Sequence, residues 1–185
     1  MTIDRPEAHP IIKHTNRIPQ WQNFAAVAAR RYGAPEGGYD PLWQWSVENV
    51  PTFWRAVWDF FDIAARNDTA PGAGDSAILR QLSMPGAHWF PGVELNYVDQ
   101  VLRHAGRDGA AIIGVDELGL RTTVAWKDLA GQVGALATAL RGLGVGVGDV
   151  VAAYLPDVPE AMMAFLATAA VGATWSGCGQ DYAPD

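Results

Sequence analysis

The sequence predicts an α/β fold: a helical N-terminal extension followed by the first part of a parallel-sheet α/β subdomain, incomplete as it stands. Three observations predict it. Aromatic residues recur at helical spacing between Phe53 and Phe61, a strand–helix–strand run occupies residues 150–178, and a hairpin and a long Ala/Leu/Val helix lie between them. Apolar side chains make up 49 % of the 185 residues and mean hydropathy is +0.01, the balance of a soluble globular chain with its own core.

Residues 1–19 are polar, carry three prolines and read as a loose lead-in. Residues 20–32 read as a helix, broken by Gly33-Ala34-Pro35-Glu36-Gly37-Gly38. Asp40-Pro41 reads as the next start, with Asp40 as cap, for a helix carrying Trp43 and Trp45 to about Glu48. Asn49 opens a third helix, expected to run to about Ala65. On it Trp54, Val57, Trp58 and Phe61 recur at i, i+3, i+4 and i+7, with Phe53 and Phe60 widening the stripe; a face that apolar needs a covering surface. Residues 67–76 read as a connector, and 84–93 as an irregular ordered loop pinned by Trp89 and Phe90.

From residue 94 the pattern changes. Asn96 can cap a helix over 97–105, with Asp99 at its third position. Residues 110–115 and 120–124 alternate as a hairpin around the turn Asp116-Glu117-Leu118-Gly119. Residues 126–143 form a helix, and 150–155 a strand expected to be buried. Asp157-x-x-Glu160 reads as a capping box for a helix over 158–171, followed by a strand over 173–178. Strand, helix and strand within about thirty residues make the βαβ unit of a parallel sheet.

Charge excludes some partners. The net charge is −7 and the only lysines are Lys13 and Lys127, so neither nucleic acid nor an anionic membrane surface is an expected partner. The single cysteine, Cys178, forms no disulfide within the chain, and the first residues lack the apolar stretch of a signal peptide; a cytoplasmic location is expected.

Several segments together resemble the adenylate-forming ligases: Val124-Ala125-Trp126-Lys127-Asp128-Leu129, Leu143–Asp149, Leu155–Glu160 and Val171-Gly172-Ala173, in that order. Ala125 stands where that family has a capping Thr, a loss of about 1 kcal/mol for the helix it precedes. Leu42–Ile63, Met84–Tyr97 and Trp175-Ser176-x-Cys178, the last against the branch's Trp-Ser-Ser-Cys, are similar to the acetoacetyl-CoA synthetase branch, and the resemblance covers residues 39–185. It implies three parts: 1–38, a lead-in and helix; 39–93, the Trp-rich helical extension of acyl-CoA synthetases; and 94–185, the start of the adenylation domain, truncated.

That family joins a carboxylate to CoA in two steps. ATP first converts the acid to an acyl-adenylate with release of pyrophosphate, and the CoA thiol then displaces AMP. The resemblance therefore implies ATP, Mg²⁺ and CoA as cofactors, and acetoacetate and the remainder of the ligase chain as partners, in the complete enzyme. The family's Gly-rich phosphate loop, adenine-site motif and hinge acid do not occur in these residues, and neither lysine follows a Gly-rich turn. No catalytic residue is assigned, no cofactor is expected to bind this stretch tightly, and the piece alone is expected to be inactive. The resemblance places Gly179, Gln180, Asp181 and Tyr182 as the turn on the CoA side, with Asp181 and Tyr182 following the branch's pattern and Gly179 and Gln180 departing from it.

Other readings are weaker. Gly142, Gly144, Gly146 and Gly148 follow a helix and precede a strand, the reverse of a dinucleotide loop, so they read as a C-cap and turn. Cys178 is a nucleophile or a small core hydrophobe, and the apolar strand around it favours the core. His88 and His104 lack metal-ligand spacing, and Asp116-Glu117 suits a turn better than an acid–base pair. The Trp stripe grips a ring-bearing ligand or, more in keeping with its spacing, covers an interface. Two alternatives remain open: a ligase for acetate or propionate, and a non-catalytic module docking a partner through its sheet edge and Trp-rich face. A parallel βαβ unit with an uncovered edge favours a cut piece over a finished module.

Overall fold

The computed structural model describes residues 20–66, 71–72 and 74–180; the expected lead-in over 1–19 and the site residues Asp181 and Tyr182 lie outside them. The described residues form two compact units. One takes those up to Asp62 and from Pro71 to Pro91, the other Ile63–Arg66 and those from Gly92 onward.

The first unit is helical: α1 (Gln20–Tyr32), α2 (Tyr39–Glu48), α3 (Val50–Phe61) and a single turn α4 (Asp75–Ile78). Its core gathers Phe24 and Ala28 of α1, Leu42 and Trp45 of α2 and Ala56 of α3, and Phe24 meets Phe53 and Phe60 edge-on at 5.8 and 5.4 Å. Edge-to-face contacts of this kind add about 0.5–1.5 kcal/mol beyond area burial. Tyr32 donates to the Asp59 carboxylate, which also accepts from Arg55 Nε at 3.1 Å, so one acid joins α1 to α3. Arg55 Nη1 in turn donates to the carbonyls of Pro71 and Gly72 at 2.9 and 3.2 Å.

Three expectations are corrected here. Asp40 lies inside the first turn of α2, whose N-cap is Gly38, so it complements the helix dipole instead of capping. α3 does open at Asn49, as expected: the residue stands at its N-cap without a side-chain bond to it, and its Nδ2 donates back to Trp45 O at 3.1 Å and closes α2. α3 stops at Phe61 because Asp62 turns left-handed at φ 49°. The aromatic stripe is only partly covered: Trp58 is buried against Phe90 at 4.9 Å, whereas Trp54 and Phe61 are 40 % and 45 % exposed. The loop expectation holds, with Trp89 5.7 Å from Trp54, a bridge from Leu79 to Trp89, and Phe90 N donating to Ile78 O at 2.7 Å.

The second unit runs α5 (Tyr97–Leu102), β1 (Ala110–Val115), β2 (Arg121–Ala125), α6 (Trp126–Gly142), β3 (Val150–Tyr154), α7 (Pro159–Ala170) and β4 (Thr174–Cys178). β1 and β2 pair antiparallel around a turn in which Asp116 Oδ1 accepts from the amides of Leu118 and Leu120 at 2.9 and 2.7 Å, an Asx-type role that employs the acid structurally. β3 and β4 pair in parallel, Val151 opposite Trp175 and Ala153 opposite Gly177. α6 and α7 share a core of Leu129, Val133, Met163, Leu166 and Ala167, with Val98 and Val124.

Both long helices end in the same device. Gly144 (φ 85°) and Gly172 (φ 80°) follow α6 and α7; their amides reach Arg141 O and Ala169 O, and the next amides reach Leu140 O and Thr168 O. This is the paired bond of a Schellman stop, which needs the left-handed residue glycine supplies. Asn96 caps α5 as expected, Oδ1 accepting from Val98 N at 2.9 Å while Nδ2 donates to Ala169 O at 2.7 Å, though α5 ends three residues early. Asp157 caps nothing: the N-cap of α7 is Val158, and Pro159 opens the helix. β3 is not buried, since Val150 and Tyr154 are 63 % and 60 % exposed; among the described residues this sheet has two strands and α7 covers one face. No described helix is long and apolar enough to cross a membrane.

Candidate functional site

A parallel βαβ unit leaves a crevice where its strands end and its helix begins, because the chain must climb from the sheet to the helix layer there. In this chain it is a cleft of about 320 Å³ beyond Tyr154 and Cys178. Successive side chains of a strand alternate faces, so Val151 and Ala153 share the α7 side with Trp175 and Gly177 across the register. Met162 and Phe165 of α7 supply the opposite wall, and Asp157 and Gly179 the rim. Phe165 holds Trp175 edge-on at 6.4 Å and is itself backed by Tyr97 at 5.9 Å.

Of the four residues predicted for the CoA-side turn, Gly179 lines this cleft. Gln180 stands just past it, its carbonyl accepting from the Tyr154 hydroxyl at 3.2 Å, a bond that ties the turn back to β3. Asp181 and Tyr182 are not described. Cys178 is a correction: it is exposed, not a core residue, since β4 has α7 on one face only, and its Sγ lies 3.5 Å from Gly179 O. Sequence reasoning passed over Asp157, Met162, Phe165 and Trp175 as lining residues. Trp175 was within reach, because on an extended chain residues two and four before Gly179 fall on its side.

The chemistry of this lining is narrow. It is mainly apolar, with the Asp157 carboxyl at its rim, the Cys178 side chain turned to the face of β4 away from α7, and no Lys or Arg among the residues that line it. Such a wall suits a slender apolar or thiol-bearing group. It does not fit a triphosphate with its magnesium ion, which needs cations, backbone amides and carboxylates turned inward. Nor do the described residues bring together three His, Cys, Asp or Glu side chains that could hold a metal. Lys127 lies elsewhere, with Arg107 along a hollow at the foot of α6. Beside it the His104 imidazole is held below its ordinary range, by partial desolvation first and then by the charges of Arg107 and Arg103.

The first unit has a second hollow, of about 460 Å³, where Trp21, Phe24, Tyr39, Trp43, Phe53 and Phe61 converge. Ser46 reaches it too, but its hydroxyl donates to Trp43 O at 2.7 Å. This hollow gathers rings without reactive groups.

Comparison with known proteins places these features in order. A family model for the acetyl-coenzyme A synthetase N-terminus matches residues 39–101, and one for AMP-binding enzymes matches residues 99–185. The acetoacetyl-coenzyme A synthetase of Rhizobium meliloti is 35 % identical over 183 residues, covering 98 % of this chain and 27 % of its own length. That of Rattus norvegicus is 34 % identical over 173 residues, covering 88 % of this chain and 24 % of its own. The solved structure of acetoacetyl-CoA synthetase from Streptomyces lividans superposes with a TM-score of 0.78 at 47 % identity, over 86 % of this chain and 24 % of that one. The chain thus spans about a quarter of the length of the relatives it matches.

Proposed function

Because the chain belongs to the AMP-binding, adenylate-forming enzymes and corresponds to the N-terminal portion of their acetoacetyl-CoA synthetases, we propose that it opens an ATP-dependent acid–thiol ligase joining acetoacetate to CoA. The observation that supports this most is the likeness in fold and sequence to the Streptomyces lividans acetoacetyl-CoA synthetase, which runs through both units. In this reading residues 1–38 are a lead-in with α1, 39–93 the helical extension, and 94–185 the start of the adenylation domain. The turn at Gly179, Gln180, Asp181 and Tyr182 borders CoA, and the ligase works in the cytoplasm, where ATP and free CoA are supplied.

The 185 residues by themselves do not turn over in this reading. The described part offers no cation-lined cradle for ATP, and the whole sequence has no Gly-rich loop followed by lysine. Pyrophosphate release tests both halves of the proposal. The full ligase chain carrying these residues should release pyrophosphate with ATP, Mg²⁺ and acetoacetate, and much more slowly with acetate or propionate. The 185-residue polypeptide should release none. A preference for acetate or propionate would replace the substrate assignment, and turnover by the polypeptide alone would refute its inactivity.

A further inference from the structure

We propose that Tyr154 is a positioning residue for the CoA step: its hydroxyl holds the turn after β4 to the end of β3, where that turn borders the strand-end crevice. This rests on the reading that the crevice borders CoA.

Parallel pairing carries β4 as far as Cys178, which stands opposite Tyr154. The next rung, from Leu155 N to Cys178 O, is already long at 3.4 Å, and after it the chain leaves β3 through Pro156 and Asp157 for α7. The Tyr154 side chain carries the connection farther. Side chains alternate along a strand, so Tyr154 leaves β3 on the face away from α7. Its hydroxyl reaches two residues past its pairing partner and donates to Gln180 O at 3.2 Å. A carbonyl only accepts, so the direction of this bond is set by its partners.

The residue between the two anchored positions is Gly179, and Gly179 lines the crevice. Glycine has the widest backbone freedom of any residue, so a glycine in a binding wall keeps its place only if the chain on either side of it is held. Strand pairing holds Cys178 and the Tyr154 hydroxyl holds Gln180. The acceptor is main chain, so the bond is indifferent to the side chain at 180, one of the two positions that depart from the branch's pattern. Tyr154 does not itself line the crevice, and its hydroxyl therefore acts through the turn and not on the ligand.

The test uses the full ligase chain and Tyr154→Phe, which keeps the ring and removes only the hydroxyl. A neutral hydrogen bond is worth a factor of about 2 to 10, so the KM for CoA should rise by that factor. The kcat at saturating CoA should stay unchanged, and so should acid-dependent ATP–pyrophosphate exchange, which reports the half-reaction that needs no CoA. A side chain that merely supported the fold would lower exchange and thioester formation together. Met162→Trp, which fills the crevice from its α7 wall, tests the site separately. One methylene of misfit in an apolar pocket is worth about 10- to 200-fold, so this change should raise the KM for CoA at least about tenfold. A KM for CoA raised by Met162→Trp but unmoved by Tyr154→Phe would overturn the inference and leave the site reading standing, and so would exchange that falls in step with thioester formation in Tyr154→Phe. If neither change moves the KM for CoA, the crevice is not on the CoA side, and the site reading falls and takes this inference with it.

Discussion

Replacing Asp59 by Asn should loosen the first unit by about 2 kcal/mol, and the partners of this carboxylate set the number. It accepts from the Tyr32 hydroxyl and from Arg55 Nε at 3.1 Å, and it faces Arg31 at 3.9 Å with its own side chain 20 % exposed. A hydrogen bond to a charged group nets about 1.5–3 kcal/mol, while the contact with the exposed Arg31 adds about 0–1 kcal/mol. The amide keeps an oxygen for Tyr32, loses the charge that holds Arg55, and partial exposure discounts both terms. Since about 1.4 kcal/mol is tenfold, hydrogen exchange at the α1 amides of the full chain should speed up by about 30-fold at neutral pH. The pH dependence is a second check. Burial pushes the Asp59 carboxyl up, but the hydrogen bonds from Tyr32 and Arg55 and the charges of Arg55 and Arg31 outweigh it and hold it below its ordinary value. A depressed folded value means stability that is present above the unfolded carboxyl range and is lost as pH falls through the folded one. The gap between the native chain and the D59N variant should therefore close below about pH 4. Tyr32 runs the other way: burial first, then the bond to Asp59, raises its hydroxyl, so its contribution holds in neutral solution and fades once pH climbs past about 10. An exchange rate at α1 unchanged in D59N, or a gap that widens in acid, would refute the assignment of Asp59 as the α1–α3 tie.

Four further changes probe the second unit. Asn96→Ala removes a helix cap and a part-buried bond to Ala169 O, so exchange protection of α5 should fall by about 2 kcal/mol, whereas Ala125→Ser supplies α6 with the cap it lacks and should raise its protection by about 1 kcal/mol. Gly172→Ala forces φ 80° on an L-residue and brings its Cβ to 2.8 Å from Val147 Cγ2; it should cost more than about 1 kcal/mol at the end of α7 by the same measurement. Gly131→Ala, in open space within α6, should gain about 1 kcal/mol.

Helix and strand periods were legible because they depend on near neighbours along the chain. The hairpin, α6, α7 and both parallel strands were read within a residue or two of their ends. Caps were less legible. Asp40, Asn49 and Asp157 all have the side chain a cap needs, but a cap also needs an extended backbone at the right position and an orphan amide in reach, and only Asn96 has these. Exposure was least legible. The spacing of Trp54, Val57, Trp58 and Phe61 establishes that they share a helix face, not that another surface lies across from them, and the unit covers Trp58 while leaving Trp54 and Phe61 open.

The candidate site shows the same limit at atomic scale. Gly144, Gly172 and Gly177 are one letter in the sequence and do separate things. Gly144 and Gly172 stop helices through a left-handed backbone, and Gly177 has an ordinary backbone beside the Trp175 ring. Positions 142–148 advertise a turn because they follow a long helical pattern. Nothing local advertises Gly177, since a glycine two residues past a tryptophan is unremarked until the strand is known to be parallel, its partner is Ala153, and the helix above it is seen to press Phe165 onto the indole. What fixes the shape of the crevice is thus a contact between residues 165 and 175 that only the packed βαβ unit creates.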